Sequence, residues 1–419
     1  MSSDPVPSRT GSALLLTGGG ARAAYQVGVL QGIAELHRSC EPDSADTPFD
    51  IIVGTSAGAI NATALACRAD DFRTGVSDLA RVWSQFHAEQ VYHASIARAA
   101  AAGTRWLIFV MFGWLSPRLQ ALQPHSLLDN EPLRDLLQKT LSLERIPQLL
   151  AGGHLRALAV TTSCYSSGEH LTFYDGVSQI HDWTRVRRRA VRTHIGVDHL
   201  MASSALPFIF PAARIEAEGQ VGYYGDGSMR QTAPIAPVIH LGAKRVLVIG
   251  VGEDLEPMDD ATCSLATYPS LAQVANHALS SIFLDTLAAD AALLHRVNRV
   301  LALIDPMHRA ESEMQPVDLL VLEPSERIDQ IAARQTHTLP RSVRILMRAL
   351  GMRGGPSSSR SSALASYLLF EPGFTTELMR LGHRDAIAQR QAICQFFGWK
   401  VPGTAEPSAA TQDRARVPG

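Results

Sequence analysis

The residues best suited to chemistry lie in short glycine-containing segments between an apolar run and a stretch of helical period. One is Gly54-Thr55-Ser56-Ala57-Gly58, which follows the apolar run Phe49–Val53. A G-x-S-x-G sequence in this position predicts a nucleophile elbow, a sharp strand-to-helix turn that exposes a serine hydroxyl at a helix N-terminus. The alternative interpretation is an ordinary glycine-rich crossover in which Ser56 only caps the helix.

A second segment, Gly18-Gly19-Gly20-Ala21-Arg22, follows the apolar run Ala13–Leu16. Successive glycines let backbone N–H groups approach a ligand oxygen closely, so this loop can hold a tetrahedral oxyanion, and Arg22 adds a positive charge. A phosphate-binding loop is the competing interpretation. It has less support, because the segment contains neither G-x-G-x-x-G nor G-K-[ST].

A third segment, Tyr224-Gly225-Asp226-Gly227, supplies a carboxylate. An Asp-Gly pair usually marks only a turn. Attack by a serine requires a base for the hydroxyl proton, however, and the sequence offers no convincing triad histidine. The histidines that could still complete a triad are His194, His199 and His240 between the motifs, and His295 and His308 further along.

The elements that must position these residues are strands of an α/β sheet. Two strand-to-helix crossings require parallel strands that are covered on both faces. Further strands are predicted at Leu155–Val160, Val246–Val251, Val300–Ile304 and Leu319–Leu322. The sequence therefore predicts a large, open, mostly parallel sheet flanked by helices.

The strand signals stop near Glu323, and the remainder has helical period, most clearly at Arg341–Leu350 and Asp385–Phe397. We therefore predict a disordered lead at 1–12, an α/β domain at 13–324, a helical C-terminal extension at 325–400 and a disordered tail at 401–419. Two ordinary domains are the alternative that the length of 419 residues leaves open.

Composition limits the function. Hydrophobic residues make up 46% and charged residues 19%, which is typical of a globular protein, and a net charge of -2 gives no field that would attract nucleic acid. The cysteines form no C-x-x-C pair and are odd in number, so neither a zinc site nor a disulfide framework is indicated; they are Cys40, Cys67, Cys164, Cys263 and Cys394. A polar N-terminus without a secretory signal favours a cytoplasmic location.

Two features favour contact with lipid. The apolar run Trp106–Leu115 is too short to span a bilayer and is either a buried helix or a lid or acyl groove at a lipid interface. A basic cluster could meet anionic headgroups, although a solvated helix face is the simpler interpretation; it consists of Arg185, Arg187, Arg188, Arg189 and Arg192.

Taken together, the motifs resemble those of the patatin-like phospholipase family. The glycine loop, the G-x-S-x-G elbow and the Asp226-Gly227 pair occur in that family's order, and Ala202–Pro211 resembles the segment that precedes the aspartate. The resemblance covers roughly Leu14–Leu322. One departure is Ala23, since the family usually has glycine after the basic residue of the first loop.

The resemblance implies a three-layer patatin-like fold and a lipid acyl hydrolase, a phospholipase A or lysophospholipase, that forms an acyl-enzyme. It assigns Ser56 as nucleophile and Asp226 as its base, without a metal or cofactor and independently of calcium. The supporting residues are Gly18, Gly19, Gly20, Ala21 and Arg22 in the oxyanion loop, Gly54, Thr55, Ala57 and Gly58 in the elbow, and Gly227 beside the aspartate. The implied partner is a phospholipid, a lysophospholipid or a membrane surface that the protein contacts peripherally, and the oligomeric state is left open. An acyltransferase and a non-catalytic lipid-binding protein remain alternatives.

Overall fold

A sheet of ten strands forms the centre of the molecule. The structure is a computed structural model that describes residues 11–93, 126–252, 286–310, 314–341, 343–345 and 365–400. The strands are β1 (Ser12–Leu16), β2 (Ile51–Thr55), β3 (Ala157–Cys164), β4 (His170–Gly176), β5 (Thr184–Arg185), β6 (Arg188–Arg192), β7 (Ala213–Ala217), β8 (Gln220–Asp226), β9 (Arg245–Ile249) and β10 (Asp318–Leu322). Their order is β10-β9-β1-β2-β3-β4-β6-β5, and β8 pairs with both β3 and β7.

Five neighbouring strands, from β10 to β3, are parallel, and the sheet becomes antiparallel where β4 and β8 join β3. In β1, Leu14 and Leu16 belong to one apolar cluster, whereas Ala13 and Leu15 belong to another. Successive side chains of a strand point to opposite faces of the sheet. Apolar layers therefore cover both faces of the sheet, and the predicted three-layer α/β fold with a mostly parallel sheet is confirmed.

Helices follow the strands in both predicted crossovers. After β1 comes the short 3-10 helix Gly20–Ala23, which continues into α1, and α2 begins directly after the turn that ends β2. The helices are α1 (Ala24–Cys40), α2 (Ala57–Ala66), α3 (Phe72–Ser84), α4 (Glu131–Thr140), α5 (Ile146–Ala151), α6 (Val197–Ser203), α7 (Ala236–His240), α8 (Thr286–Leu303), α9 (Pro306–Ala310), α10 (Ile328–Gln335), α11 (Pro372–Ala388) and α12 (Arg390–Phe397). Among the helices that the structure describes, none is both long enough and apolar enough to cross a bilayer.

The strand predicted at Val300–Ile304 is wrong, because this run is the end of helix α8. The helix buries Leu287, Leu294 and Leu301, which are seven residues apart, and leaves Val300 exposed. A seven-residue spacing places side chains on one helical face. The strand was predicted because the residues of Val300–Ile304 are locally apolar, whereas the helical spacing appears only over a longer stretch of sequence.

Strands β4 to β8 were not predicted, and they change the interpretation of the arginine cluster. Arg185 lies in β5, and Arg188, Arg189 and Arg192 lie in β6, so the predicted helix face is wrong. Arg189 forms an ion pair with Glu218 at 2.6 Å. The run Trp106–Leu115 lies outside the described residues.

The C-terminal helix α11 packs against α1, which begins close to the glycine loop. Glycines allow a close approach, since a Cβ at Gly28 would overlap the Met379 carbonyl and a Cβ at Gly382 would overlap the Tyr25 carbonyl. The Tyr25 hydroxyl also donates a hydrogen bond to Asp385 at 3.1 Å. Helices α11 and α12 occupy the predicted extension, whereas most of Arg341–Leu350 lies outside the described residues. The division into a domain and an extension stays a prediction.

Candidate active site

Ser56 lies at the sharp turn between β2 and α2, with φ 56° and ψ -130°. Residues other than glycine rarely adopt this conformation, and holding one there costs about 1–3 kcal/mol. The Ser56 side chain makes no capping hydrogen bond to α2, so the interpretation of Ser56 as an ordinary helix cap is wrong. The turn has the strained geometry of a nucleophile elbow.

Glycines on both sides of Ser56 make this turn compact. A Cβ at Gly58 would lie 2.5 Å from the carbonyl oxygens of Leu16 and Thr17, and a Cβ at Gly54 would overlap the Gly58 carbonyl oxygen. Only a residue without a side chain allows α2 to start against the end of β1. The two flanking glycines thus bring the elbow next to the glycine loop.

Asp226 ends β8, and the sheet brings it to Ser56. Strand β4 pairs with β3 over Ala157–Ser163, so β2 and β8 must share the opposite edge of β3. Along that edge, Thr55 of β2 pairs with Thr161, and Asp226 of β8 pairs with Thr162. The C-terminal ends of β2 and β8 therefore meet head to head, and the two candidate residues lie at the junction.

The Asp226 side chain is fully buried. Its Oδ1 accepts a hydrogen bond from the Ser228 N–H at 2.8 Å, whereas its Oδ2 accepts none from the part of the chain that the structure describes. Burial raises the pKa of Asp226 to about 6, and the Ser56 side chain and Ser228 oppose this rise. Asp226 Oδ2 accepts no hydrogen bond of ordinary length from the described residues. The Ser56 hydroxyl therefore limits the rise in the pKa of Asp226 from a longer distance.

The glycine loop lies against Ser56 and against Ser228, whose N–H donates to Asp226. A Cβ at Gly18 would lie 3.1 Å from the Ser56 Cβ and would overlap the Ser228 hydroxyl. Within the described residues, the N–H groups of Gly18, Gly19, Gly20 and Ala21 donate no hydrogen bond, whereas the Arg22 N–H donates to the Gly19 carbonyl. Free N–H groups beside a serine hydroxyl suit an oxyanion.

Arg22 and Ala23, which end the glycine loop and follow it, are both buried. The Arg22 side chain is only 1% exposed and does not point into solvent as a free charge. Its Nε donates to the Ser366 hydroxyl at 2.6 Å, and its guanidinium lies 4.6 Å from the centroid of the Tyr367 ring. Ala23 is buried in the 3-10 helix, where its carbonyl accepts a hydrogen bond from Asn61.

Sequence reasoning missed Ser203, which holds the elbow. Its hydroxyl accepts a hydrogen bond from the Ser56 N–H at 2.8 Å and donates one to the Thr161 carbonyl at 2.7 Å. Its own carbonyl accepts from the Gly227 N–H at 3.3 Å. Ser203 thus links the turn that carries Ser56 to the segment that carries Asp226. The only sequence signal was its place in the segment Ala202–Pro211.

His170 was also missed, and it lies behind the aspartate. Its Nε2 is 3.0 Å from the Gly227 carbonyl, an acceptor, so the ring nitrogen is the donor. Burial lowers the pKa of His170 to about 4, and the ring therefore stays neutral at pH 7.

None of the described histidines hydrogen bonds to Ser56. The histidines proposed for a triad have other surroundings: His194 pairs with Asp175, His199 lies against Phe173, His240 stacks on Trp183, and His295 and His308 lie on α8 and α9.

An apolar pocket lies beside Ser56, and its empty space, including the open solvent at its edge, is about 1080 Å³. One face of α2 lines it with Ala57, Ile60 and Ala64 over about 10 Å, at about 1.5 Å per residue. Other apolar lining residues are Leu79, Val82, Trp83, Phe86, Leu133, Leu136, Leu137, Leu206, Phe210 and Phe370. Arg68 and Asp78, 3.5 Å apart, line the pocket beyond the last turn of α2.

Within the described residues no cluster of three or more His, Cys, Asp or Glu side chains could hold a metal.

Comparisons with solved structures give distant matches. VipD from Legionella pneumophila is 13% identical with a TM-score of 0.32, and the match covers 88% of this chain and 66% of VipD. Full-length ExoU from Pseudomonas aeruginosa, solved in complex with SpcU, is 14% identical with a TM-score of 0.25, and the match covers 91% of this chain and 77% of that one. This chain thus spans about two thirds of the length of VipD.

Comparison with curated proteins found no match. The sequence model of one family, described as Patatin-like phospholipase, matches residues 14–239, which contain the glycine loop, the elbow and the aspartate. This match covers more than half of the chain, and the chain accordingly belongs to the patatin-like phospholipase family.

Proposed function

We propose that this protein is a lipid acyl hydrolase that cleaves carboxylic ester bonds of phospholipids or lysophospholipids, with Ser56 as nucleophile and Asp226 as base. The observation that carries the proposal is a strained serine that lines an apolar pocket and lies beside a buried carboxylate. Membership of a family of lipid ester hydrolases supports the same reaction class.

In the acylation step, the Ser56 hydroxyl oxygen attacks the ester carbonyl carbon while Asp226 takes the hydroxyl proton. The carbonyl oxygen becomes an oxyanion, which the free N–H groups of Gly18 to Ala21 can stabilise. Collapse of this intermediate breaks the ester C–O bond. Asp226 returns the proton to the leaving alcohol oxygen, and the acyl group stays on Ser56.

In the deacylation step, water takes the place of the serine hydroxyl. Asp226 accepts a proton from the water, the resulting hydroxide attacks the acyl carbon, and Ser56 leaves with the proton that Asp226 returns. A positioned general base typically contributes about 10²–10⁴ in rate and one oxyanion donor about 10²–10³. Because the base acts in both steps, losing Asp226 should slow both.

The pocket supports a lipid acyl chain as the substrate group. Its lining is mostly apolar, and apolar surface stabilises a bound chain by about 25 cal/mol per Å² removed from water. Ile60 and Ala64 follow Ser56 along the same helical face, so a chain bound there would have its carbonyl end at the hydroxyl.

The proposal is tested by incubating purified protein with phospholipid, lysophospholipid, triacylglycerol and short p-nitrophenyl esters and identifying the products. We expect free fatty acid from at least one lipid, and none with Ser56→Ala. The half-buried Ser84 does not line the pocket, so Ser84→Ala is the matched control and should keep wild-type turnover. Acyl transfer to an added alcohol or coenzyme A in place of free acid, or binding of lipid without any product, would contradict the proposal.

A further inference from the structure

The segment 365–371 lies beyond the region that the family model matches, yet it touches the candidate active site. Gly20 of the glycine loop has φ 54°, and a Cβ at this position would overlap the Tyr367 carbonyl oxygen. The backbone of the C-terminal segment therefore rests directly on the loop. Only glycine at position 20 allows both the positive φ and this close approach.

A buried charge joins the same two pieces of chain. The Arg22 guanidinium is almost fully buried, and a buried cation is stable only where it is compensated. The segment supplies two of its contacts, the Ser366 hydroxyl at 2.6 Å from Nε and the face of the Tyr367 ring at 4.6 Å. Removing either contact leaves part of the charge uncompensated, so the arginine and its loop should shift.

The segment is held in place independently of Arg22. The hydroxyl of Tyr92, which is buried, donates a hydrogen bond to the Leu368 carbonyl at 3.0 Å. Phe370 packs against Trp83 and Phe86 and lines the pocket that opens at Ser56. The segment therefore has a fixed position from which it can orient the loop.

We propose that Ser366 and Tyr367 are positioning residues for the oxyanion loop, and that the loop reaches its working geometry only with the C-terminal segment docked on Arg22. This inference rests on the proposed function. A run of three glycines has little conformational preference of its own, so its N–H groups need an external support to converge on one oxygen. Arg22 is the first residue after the three glycines whose side chain is long enough to be held by another segment.

The test compares four variants at this contact. Ser366→Ala removes the hydrogen bond and Ser366→Thr keeps a hydroxyl, while Tyr367→Ala removes the ring and Tyr367→Phe keeps it. We expect Ser366→Ala and Tyr367→Ala to lower kcat roughly 10–100-fold with KM nearly unchanged, because displacing an oxyanion donor weakens transition-state binding. The Thr and Phe variants should recover most of this loss.

Thr375→Val is the matched control. Thr375 ties the same extension to the Trp83 carbonyl with a buried hydrogen bond of 2.8 Å, and its hydroxyl makes no hydrogen bond with Arg22. We expect Thr375→Val to lower Tm about as much as Ser366→Ala while kcat stays at the wild-type value. If all three variants lower kcat equally and in proportion to their loss of Tm, the segment is only structural and the inference is wrong.

The rate at which a fluorophosphonate labels Ser56 separates the two proposals. Slow labelling in Ser366→Ala and Tyr367→Ala, with rapid labelling of the wild type, supports the positioning role. Equal labelling of wild type and variants overturns the positioning role alone. A wild type that neither reacts nor hydrolyses any ester overturns the proposed function, and the positioning role with it.

Discussion

Burial of the Asp226 carboxylate works against the ionised form that a base needs. Its pKa is raised to about 6 by burial, while the nearby Ser56 side chain and the hydrogen bond from Ser228 limit the rise. At pH 7 the group is therefore mostly ionised, and it is a stronger base than an exposed aspartate. A base whose pKa lies just below the working pH is well matched to general base catalysis.

We expect kcat/KM to rise with pH through an apparent pKa near 6, because only deprotonated Asp226 accepts the Ser56 proton. Below that pH the rate should fall about tenfold per unit, and above it the rate should be level. The measurement is a pH–rate profile with an uncharged ester, so that substrate ionisation does not contribute. A flat profile, or a limb that moves when His199 is replaced, would contradict the role of Asp226.

The sequence pointed to Ser56 and Asp226 because their motifs are local, but not to the residues that hold them. Ser203 lies in α6 and His170 in β4, and both act only through contacts that the sheet creates. Isolated serines and histidines carry no pattern that reveals such contacts. The roles of Ser56 and Asp226 themselves stay predictions.

At the scale of elements, the site depends on a junction of strands and one helix. The ends of β2 and β8 meet on one edge of β3, and α6 supplies the hydroxyl that holds the elbow. Parallel strands with helical crossovers could be predicted from apolar runs. Strands β7 and β8 could not, because exposed and buried residues are mixed in each and neither has a continuous apolar run.

We expect Ser203→Ala to lower both activity and stability. It leaves the buried Ser56 N–H without an acceptor, which costs about 1–3 kcal/mol in the free energy of unfolding, and it frees the strained elbow. Urea unfolding and the rate of ester hydrolysis measure the two effects, with the helix-surface variant Ser39→Ala as control. Wild-type hydrolysis by folded Ser203→Ala would show that the elbow does not depend on this hydroxyl.

We expect Ala64→Phe to shorten the acyl chain that the enzyme accepts. The added ring would fill the pocket beside α2, so hydrolysis of long-chain esters should fall on the order of tenfold or more while that of an acetyl ester stays unchanged. Kinetics over a series of p-nitrophenyl esters gives the comparison. Ala302→Phe, on the exposed face of α8, is the matched control. An equal loss for all chain lengths would mean that the chain binds elsewhere.

At the scale of the whole molecule, one apolar cluster joins the two ends of the chain. Leu30 of α1 and Leu378 of α11 belong to it together with residues of the central sheet. Sequence alone could predict a helical C-terminal region but not its position, because the contacts depend on glycines in both helices. Gly28 and Gly382 are unremarkable in sequence until the helices meet.

We expect the protein to unfold in a single cooperative transition, since the buried residues of α11 belong to the same apolar cluster as residues of the sheet. Differential scanning calorimetry should give a calorimetric enthalpy equal to the van't Hoff enthalpy. Two resolved transitions, one of them lost on removing residues 365–419, would instead indicate an independent C-terminal domain.

The proposed reaction requires that Ser56 carries the acyl group in the acyl-enzyme. The most direct measurement is labelling of the purified protein with a fluorophosphonate, followed by mass spectrometry of the labelled peptide. We expect one label, on Ser56, which is lost in Ser56→Ala and strongly slowed in Asp226→Asn. Equal labelling of the wild type and Ser56→Ala, or a label on another residue, would contradict it.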